Sequence, residues 1–222
     1  DNYSISREIF DEIENSINTN IRKIISNNHQ DEINQTNFTQ IAIFSASIVI
    51  FKTLLWQFGA EKINPQVVLG HSLGEYSALV ANNSLTLHDA SNLIKIRGEL
   101  MNSAIKPKLS GMAAIVGKNA EFVDKVIIKH KLKLEIANDN SHMQVVVSGL
   151  IKDIDLAESV FISEGIKRYI KLNVSAAFHS KYMLEAQNQL VYEIDKIKFY
   201  ESNIPIISNY TAELSKDPKN II

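Results

Sequence analysis

Ile5, Ile9, Ile13, Ile17, Ile21 and Ile24 recur at steps of four, four, four, four and three. That spacing puts them on one stripe and predicts an amphipathic helix through the segment. Asn27 to Asn37 is polar and reads as a loop. Phe38 to Phe58 is mostly apolar and long enough to approach a bilayer span, but it carries Gln40, Ser45, Ser47, Lys52, Thr53 and Gln57. With Lys52 well inside it, the expectation is a helix of a soluble fold, buried on most sides. It stops near Gly59, and Pro65 precedes a short β-branched run, Val67-Val68-Leu69. A helix-forming run follows as far as Asn82-Asn83-Ser84, a break, after which Thr86 or Asp89 can cap a further helix to about Ala104. Lys106-Pro107-Lys108 ends it.

The pattern then changes. Gly111 to Val116 predicts a strand, Ala120 to His130 a helix, Leu134 to Ala137 and Gln144 to Ser148 two strands. Asp153 to Glu164 predicts a helix and Lys167 to Val174 a strand. The order βαββαβ is that of a ferredoxin-like unit. Residues 110–175 therefore read as a small subdomain inserted in a larger α/β domain made of 1–109 and 176–222. Ser180 to Ile194 is again helical, Ile204 to Ser208 is a short strand, and the chain ends in polar residues with Pro218.

Composition narrows the function. The chain has 222 residues, 45% of them hydrophobic, with a net charge of −2. That suffices for one sizeable core, or one core with an inserted subdomain. The near-neutral balance argues against a nucleic-acid binder. Cysteine is absent, which excludes disulfides, thiolate metal sites and a cysteine nucleophile. Asp1 to Phe10 is polar and charged and does not read as a signal peptide. A cytoplasmic location is the expectation, with an organelle left open. No membrane attachment, metal or cofactor is expected, and the chain is expected to act as a monomer.

The chemistry is concentrated at Val67 to Ala78, Val-Val-Leu-Gly-His-Ser-Leu-Gly-Glu-Tyr-Ser-Ala. A Gly-x-Ser-x-Gly pentapeptide between a strand-like and a helix-like run predicts a nucleophile elbow, with the serine on a strained turn before a helix. Gly70 and Gly74 are read as positions where a Cβ would collide with neighbouring chain. The bare pattern arises by chance in about 7 chains in 100 of this length. The strand–turn–helix context and the low glycine content, 8 in 222 residues, favour a functional serine. Ser72 is the candidate nucleophile, and the N–H of Leu73 would face an oxyanion formed there.

A serine needs a base at neutral pH, and histidine is the usual one. His71 adjoins Ser72 but diverges from it at an elbow. His29 and His130 read as surface residues, His88 as part of a capping region and His142 as a loop residue. His179 stands apart, because Ala176-Ala177-Phe178-His179-Ser180 follows a strand and opens a helix, where α/β folds place functional groups. Arg97 lies 25 residues after Ser72. Spacing alone reads it as a surface ion pair with Glu99 or Glu61. The alternative is a guanidinium gripping a substrate carboxylate.

Taken together, Gly70 to Ala78, the arginine at 97, Asn138-x-Asn140 followed by Gln144 to Gly149, and Ala177-Phe178-His179-Ser180 resemble, in this order, the malonyl-CoA:acyl carrier protein transacylases of fatty-acid synthesis. Polyketide-synthase acyltransferase domains are akin to them. The resemblance covers essentially the whole chain. It implies an α/β-hydrolase-like core carrying the ferredoxin-like insert, with Ser72 as the acylated nucleophile and His179 as its base. It makes Arg97 the partner of the malonyl carboxylate and Leu73 N–H one arm of the oxyanion hole. Asn138 and Asn140 match a substrate-binding segment near the pocket, although a role as turn residues is equally open. Leu73 and the Ala-Phe-His wording resemble malonyl-selecting members. Family members also carry a Gly-Gln-Gly segment before the equivalent of Asp1 and further elements after that of Ile222. The chain therefore reads as an internal portion lacking both.

The implied reaction is ping-pong transfer from malonyl-CoA to the phosphopantetheine thiol of acyl carrier protein, through a malonyl-serine. Two alternatives remain at this stage. One is a serine esterase or thioesterase, for which Asp153 and Asp155 are the available third members, both inside the presumed insert. The other is a catalytically impaired remnant that binds carrier protein, for which Lys167, Arg168, Lys171 and Lys181 offer a cationic face.

Overall fold

The computed structural model describes residues 3–26, 35–106 and 108–217. The loop expected from Asn27, as far as residue 34 and with His29 in it, lies outside the described residues, as do Pro107 and Pro218. In chain order the elements are α1 (Ser4–Ile17), α2 (Ile21–Ser26), α3 (Thr36–Phe58), β1 (Val68–Leu69), α4 (Gly74–Ala81), α5 (Leu87–Ser103), β2 (Ser110–Val116), α6 (Ala120–His130), β3 (Leu134–Ser141), β4 (Gln144–Leu150), α7 (Ile151–Ser163), β5 (Arg168–Lys171), α8 (Leu184–Ile194), β6 (Ile206–Ile207) and β7 (Leu214–Ser215). The chain forms two compact units, Asp1–Glu99 with Leu190–Ile222, and Leu100–Gln189.

In the first unit the isoleucine stripe is buried, with Ile9, Ile13, Ile17 and Ile21 all in the core. The single helix expected over it is instead two. Asn18 takes a left-handed φ of 50°, a region asparagine tolerates better than most residues. The Glu14 carboxylate accepts the Arg22 N–H at 2.8 Å and so caps α2. Lys95 Nζ donates to the Ile17 carbonyl at 3.0 Å, at the end of α1.

Helix α3 buries Gln40, Ile41, Ala42, Phe44, Ser45 and Ile48 in its first half. The expected burial on most sides stops there, since Ile50 and Trp56 are 61% and 58% exposed. Helix α1 covers this second half on one side only, with Ser6 Oγ and Thr53 Oγ1 3.0 Å apart and Tyr3 edge-on to Trp56 at 5.9 Å between ring centres. By length and composition alone α3 could cross a membrane, at a mean hydropathy of 1.7.

Thr86 and Asp89, weighed as alternative caps for α5, act together. Thr86 Oγ1 accepts the Asp89 N–H at 3.0 Å, the N-cap bond, and donates to Asp89 Oδ2 at 2.7 Å, which holds the hydroxyl in place. In the small sheet β1 pairs in parallel with β6, Val68 opposite Ile206 and Leu69 opposite Ile207. Strand β7 runs antiparallel on the other side of β6. Phe44, Leu93, Ile94 and Ile206 lie in the core between helices and sheet.

The second unit holds a four-stranded antiparallel sheet in the order β3-β4-β2-β5. Alternation along β2 and β4 sends Ala113, Ile115, Val145 and Val147 into one core with Val123 and Val126 of α6 and Ile154, Ala157 and Phe161 of α7. Met112, Ala114 and Val146 form the opposite face, against which Leu172 and Phe178 pack. Asn119 caps α6 by accepting the Phe122 N–H at 3.1 Å. Strand β3 continues beyond the expected Ala137 to Ser141, leaving only His142–Met143 as the turn. Asn138 and Asn140 are therefore strand residues, not turn residues. Register irregularities at Ile136/Asn138 and Asp139/Ser141 let the polar end of the strand stay paired. Strand β5 is shorter than expected, and the helix expected from Ser180 opens with a 3₁₀ turn, Lys181–Met183, before α8.

Phe161 is fully buried, while its neighbour Ile162 is 55% exposed. Phe161→Ala is expected to destabilise this unit by roughly 3–5 kcal/mol, and Ile162→Ala by under about 0.5 kcal/mol. Urea titration of both variants checks the contrast, and equal losses would contradict the packing described.

Candidate active site

Strand β1 ends at Leu69 and the chain turns at once. A Cβ on Gly70 would sit 1.9 Å from the backbone carbon of Gly74, so only glycine fits there. The matching expectation for Gly74 does not hold. Its own Cβ would point into open space, and it is the backbone of Gly74 that Gly70 lies against. Ser72 takes a φ of +52°, a left-handed conformation that costs a non-glycine residue about 1–2 kcal/mol. The turn then tightens into α4, with Gly74 N–H donating to the His71 carbonyl at 2.9 Å and Glu75 N–H to that of Ser72 at 3.2 Å. Leu73 caps α4, so its N–H stands at the positive end of the helix.

Two contacts from the far end of the first unit complete the elbow. Ser72 N–H donates to Asn209 Oδ1 at 2.6 Å, and Asn209 N–H donates to Glu75 Oε1 at 2.8 Å. Asn209 arrives two residues after Ile207, which pairs with Leu69. Sheet register therefore brings it to the elbow.

Arg97 is 8% exposed, and the surface ion pair with Glu99 or Glu61 is not made. It lies on the face of α5 that buries Ala90, Leu93, Ile94 and Gly98. Its Nη2 donates to Ser72 Oγ at 2.9 Å and its Nη1 to Gln40 Oε1. The guanidinium carbon is 5.8 Å from the centre of the Tyr76 ring. A Cβ on Gly98 would come within 2.8 Å of Asn37 Cα, so α3 and α5 approach closely one residue from Arg97 and three from Gln40. Burial pulls the Arg97 pKa down, with Tyr76 and Glu75 opposing it. Burial likewise pushes the Tyr76 hydroxyl and the Glu75 carboxyl up, with Arg97 pulling both the other way and the Asn209 N–H also lowering Glu75. Among the described residues no carboxylate lies within ion-pair distance of Arg97, whose hydrogen-bond acceptors at Gln40 and Ser72 are neutral.

His179 belongs to the second unit and has a φ of +54°. The segment around it is held on both sides. Phe178 packs on the Met112, Ala114 and Val146 face of the sheet, and Ala177 N–H donates to Ser110 Oγ at 2.9 Å. Ser180 Oγ donates to the Ala177 carbonyl at 2.7 Å, and Lys181 N–H donates to Glu135 Oε2 at 3.0 Å. In the same unit Asn140 Nδ2 donates to Gln144 Oε1 across the hairpin at 3.0 Å.

The other described histidines are occupied elsewhere or exposed. His88 bonds Ser16 Oγ at 3.0 Å, His130 bonds Glu164 at 2.6 Å, His142 lies in the hairpin turn, and His71 is exposed. Asp155, considered as a third triad member, is held by Lys171 at 2.8 Å.

The first unit thus brings together Ser72, Leu73 and Arg97 from the sequence reading. It adds Gln40, Glu75, Tyr76 and Asn209, which that reading did not assign. A glutamine interrupting an apolar helix was the available signal for Gln40, and adjacency to the pentapeptide was the signal for Glu75 and Tyr76. Nothing local marks Asn209.

A strained serine at a strand-to-helix elbow, facing a helix N-terminus and a buried cation, is equipped to carry an acyl group. Residues 5–221 match the acyl transferase domain family, and the chain belongs to that family. It is 34% identical over 220 residues to a malonyl CoA-acyl carrier protein transacylase of Bacillus subtilis (strain 168), spanning 97% of this chain and 68% of that protein. An acyl-carrier-protein S-malonyltransferase structure from Burkholderia pseudomallei 1710b matches it with a TM-score of 0.92 at 31% identity, over 99% of this chain and 71% of that one. A malonyl-transacylase in complex with its type II polyketide-synthase acyl-carrier protein matches with a TM-score of 0.91 at 27% identity, again over 99% and 71%. The mixed α/β fold is that of malonyltransferase structures.

The strain at Ser72 is measurable. Ser72→Gly should be more stable than Ser72→Ala by about 1 kcal/mol, since both lose the hydroxyl but only glycine relaxes at positive φ. Thermal unfolding of the pair tests this, and equal stabilities would remove the strain from the account.

Proposed function

We propose that this chain transfers a malonyl group from malonyl-CoA to the phosphopantetheine thiol of acyl carrier protein, by way of an ester on Ser72, in fatty-acid biosynthesis. The observation that carries the reading is the Arg97 guanidinium, buried with no carboxylate at ion-pair distance among the described residues and 2.9 Å from Ser72 Oγ. A buried cation with only neutral acceptors is completed by an anionic ligand. An acyl group on Ser72 that ends in a carboxylate one methylene beyond its carbonyl reaches that cation and forms charge-assisted bonds. An acetyl group leaves the cation unpaired.

His179 is the base in this reading. The imidazole takes the Ser72 hydroxyl proton as Oγ attacks the thioester carbonyl, and the C–S bond then breaks. The proton passes to the departing CoA sulfur, leaving malonyl-serine. The carrier thiol then attacks this ester with its proton taken by the same imidazole, which returns it to Oγ. Leu73 N–H stabilises the oxyanion in both halves. Support for the carrier comes from the related complex with an acyl-carrier protein.

In this reading the chain is an α/β-hydrolase-like large domain with a ferredoxin-like βαββαβ insert. Asn138 and Asn140 are assigned no chemical step, and Lys171 and Lys181 are already ion-paired with acidic side chains of their own unit.

Incubation with malonyl-CoA should give one malonyl adduct by intact mass, absent from Ser72→Ala. Arg97→Ala should lower the preference for malonyl over acetyl thioesters roughly 100-fold. Unchanged discrimination in a folded variant would take Arg97 out of substrate recognition.

A further inference from the structure

We infer that Asn209 and Glu75 are positioning residues for the Ser72 nucleophile, an inference that rests on the acyl-transfer reading above. The three residues close a ring. Ser72 N–H donates to the Asn209 side chain, Asn209 N–H donates to the Glu75 side chain, and Glu75 N–H donates to the Ser72 carbonyl. Both backbone polar groups of Ser72 are thus engaged by the ring that contains it.

The strained residue needs such a hold. At φ +52° a serine relaxes to negative φ unless its surroundings fix it, and that relaxation would carry Oγ away from Arg97. The anchor at 209 is itself rigid. Ser208 is 3% exposed, its Oγ accepts the N–H groups of Tyr210 and Thr211, and its carbonyl accepts that of Ala212. This tight turn follows directly on the β6 pairing with β1, the strand that enters the elbow.

The ring also decides which donors remain. Because Ser72 N–H is committed to Asn209 Oδ1, the elbow's contribution to an oxyanion falls to Leu73 N–H. Asn209 acts through the geometry of Ser72 and touches no reacting atom.

The test is single-turnover acylation by malonyl-CoA, followed by intact mass, on wild type and four variants. Asn209→Ala and Glu75→Ala each lose an acceptor, while Asn209→Asp and Glu75→Gln keep one. The alanine variants should acylate at least 10-fold more slowly at saturation, with half-saturation by malonyl-CoA within about 3-fold of wild type. The acceptor-keeping variants should return to within about 3-fold of the wild-type rate. Melting temperatures are read in parallel, and Asn209→Ser or Glu75→Ser, each too short to make the bond, replaces the alanine variant at the same position if that melts below the assay temperature. Wild-type rates in the alanine variants, a loss confined to half-saturation, or acceptor-keeping variants as slow as alanine would each overturn the inference. Absence of an adduct on wild type would instead overturn the acyl-transfer reading.

Discussion

The arrangement in the first unit depends on a guanidinium taken out of water with no carboxylate at ion-pair distance among the described residues. A carboxylate beside Arg97 would have satisfied the charge internally and left nothing for a ligand. The positions next to it are filled by a carboxamide, a hydroxyl and a phenol ring. These supply hydrogen-bonding and quadrupole contacts while leaving the net charge in place. Glu75 is near enough to be felt electrostatically but is turned toward the Asn209 backbone. Stability alone would not select this set, which makes sense as preparation for an anion.

Position in the fold follows from the same requirement. The cation comes from α5, its carboxamide partner from α3, and the serine from the turn between β1 and α4. Three segments distant in sequence must meet within hydrogen-bonding distance. The packed helices and the parallel β1–β6 pair hold them there. In the second unit, the antiparallel sheet serves His179 in a comparable way, since one face is filled by helices and the other carries Phe178.

Much of this was legible in the residue pattern, and the exceptions have physical causes. The α6 boundaries were readable because an asparagine cap, an amphipathic run and a lysine–histidine end agree with one another. The break after α1 was hidden because the interruption at Asn18 leaves Ile17 and Ile21 four residues apart, so the stripe's period continues across it. Burial of only half of α3 was not readable, since it depends on how many faces of the helix its neighbours cover. The nucleophile was plain from Gly70 to Gly74, but Arg97 was not. Spacing records which face of a helix a residue occupies and is silent on what covers that face. Asn209 was out of reach for another reason. It lies 137 positions from Ser72 and meets it only through strand pairing.

The contact between Gly98 and Asn37 carries one more implication. Two helices meet there over a single hydrogen atom, next to the carboxamide–guanidinium bond that orients the cation. Any side chain at 98 would act as a wedge, shifting α3 along or away from α5 and loosening the grip of one residue on the other. A position with no polar atom beyond its backbone thereby helps fix how the buried cation faces the serine. On the proposed role of Arg97, drift at such a site in a related sequence would register first as blurred discrimination between acyl groups, well before it registered as a fault in packing.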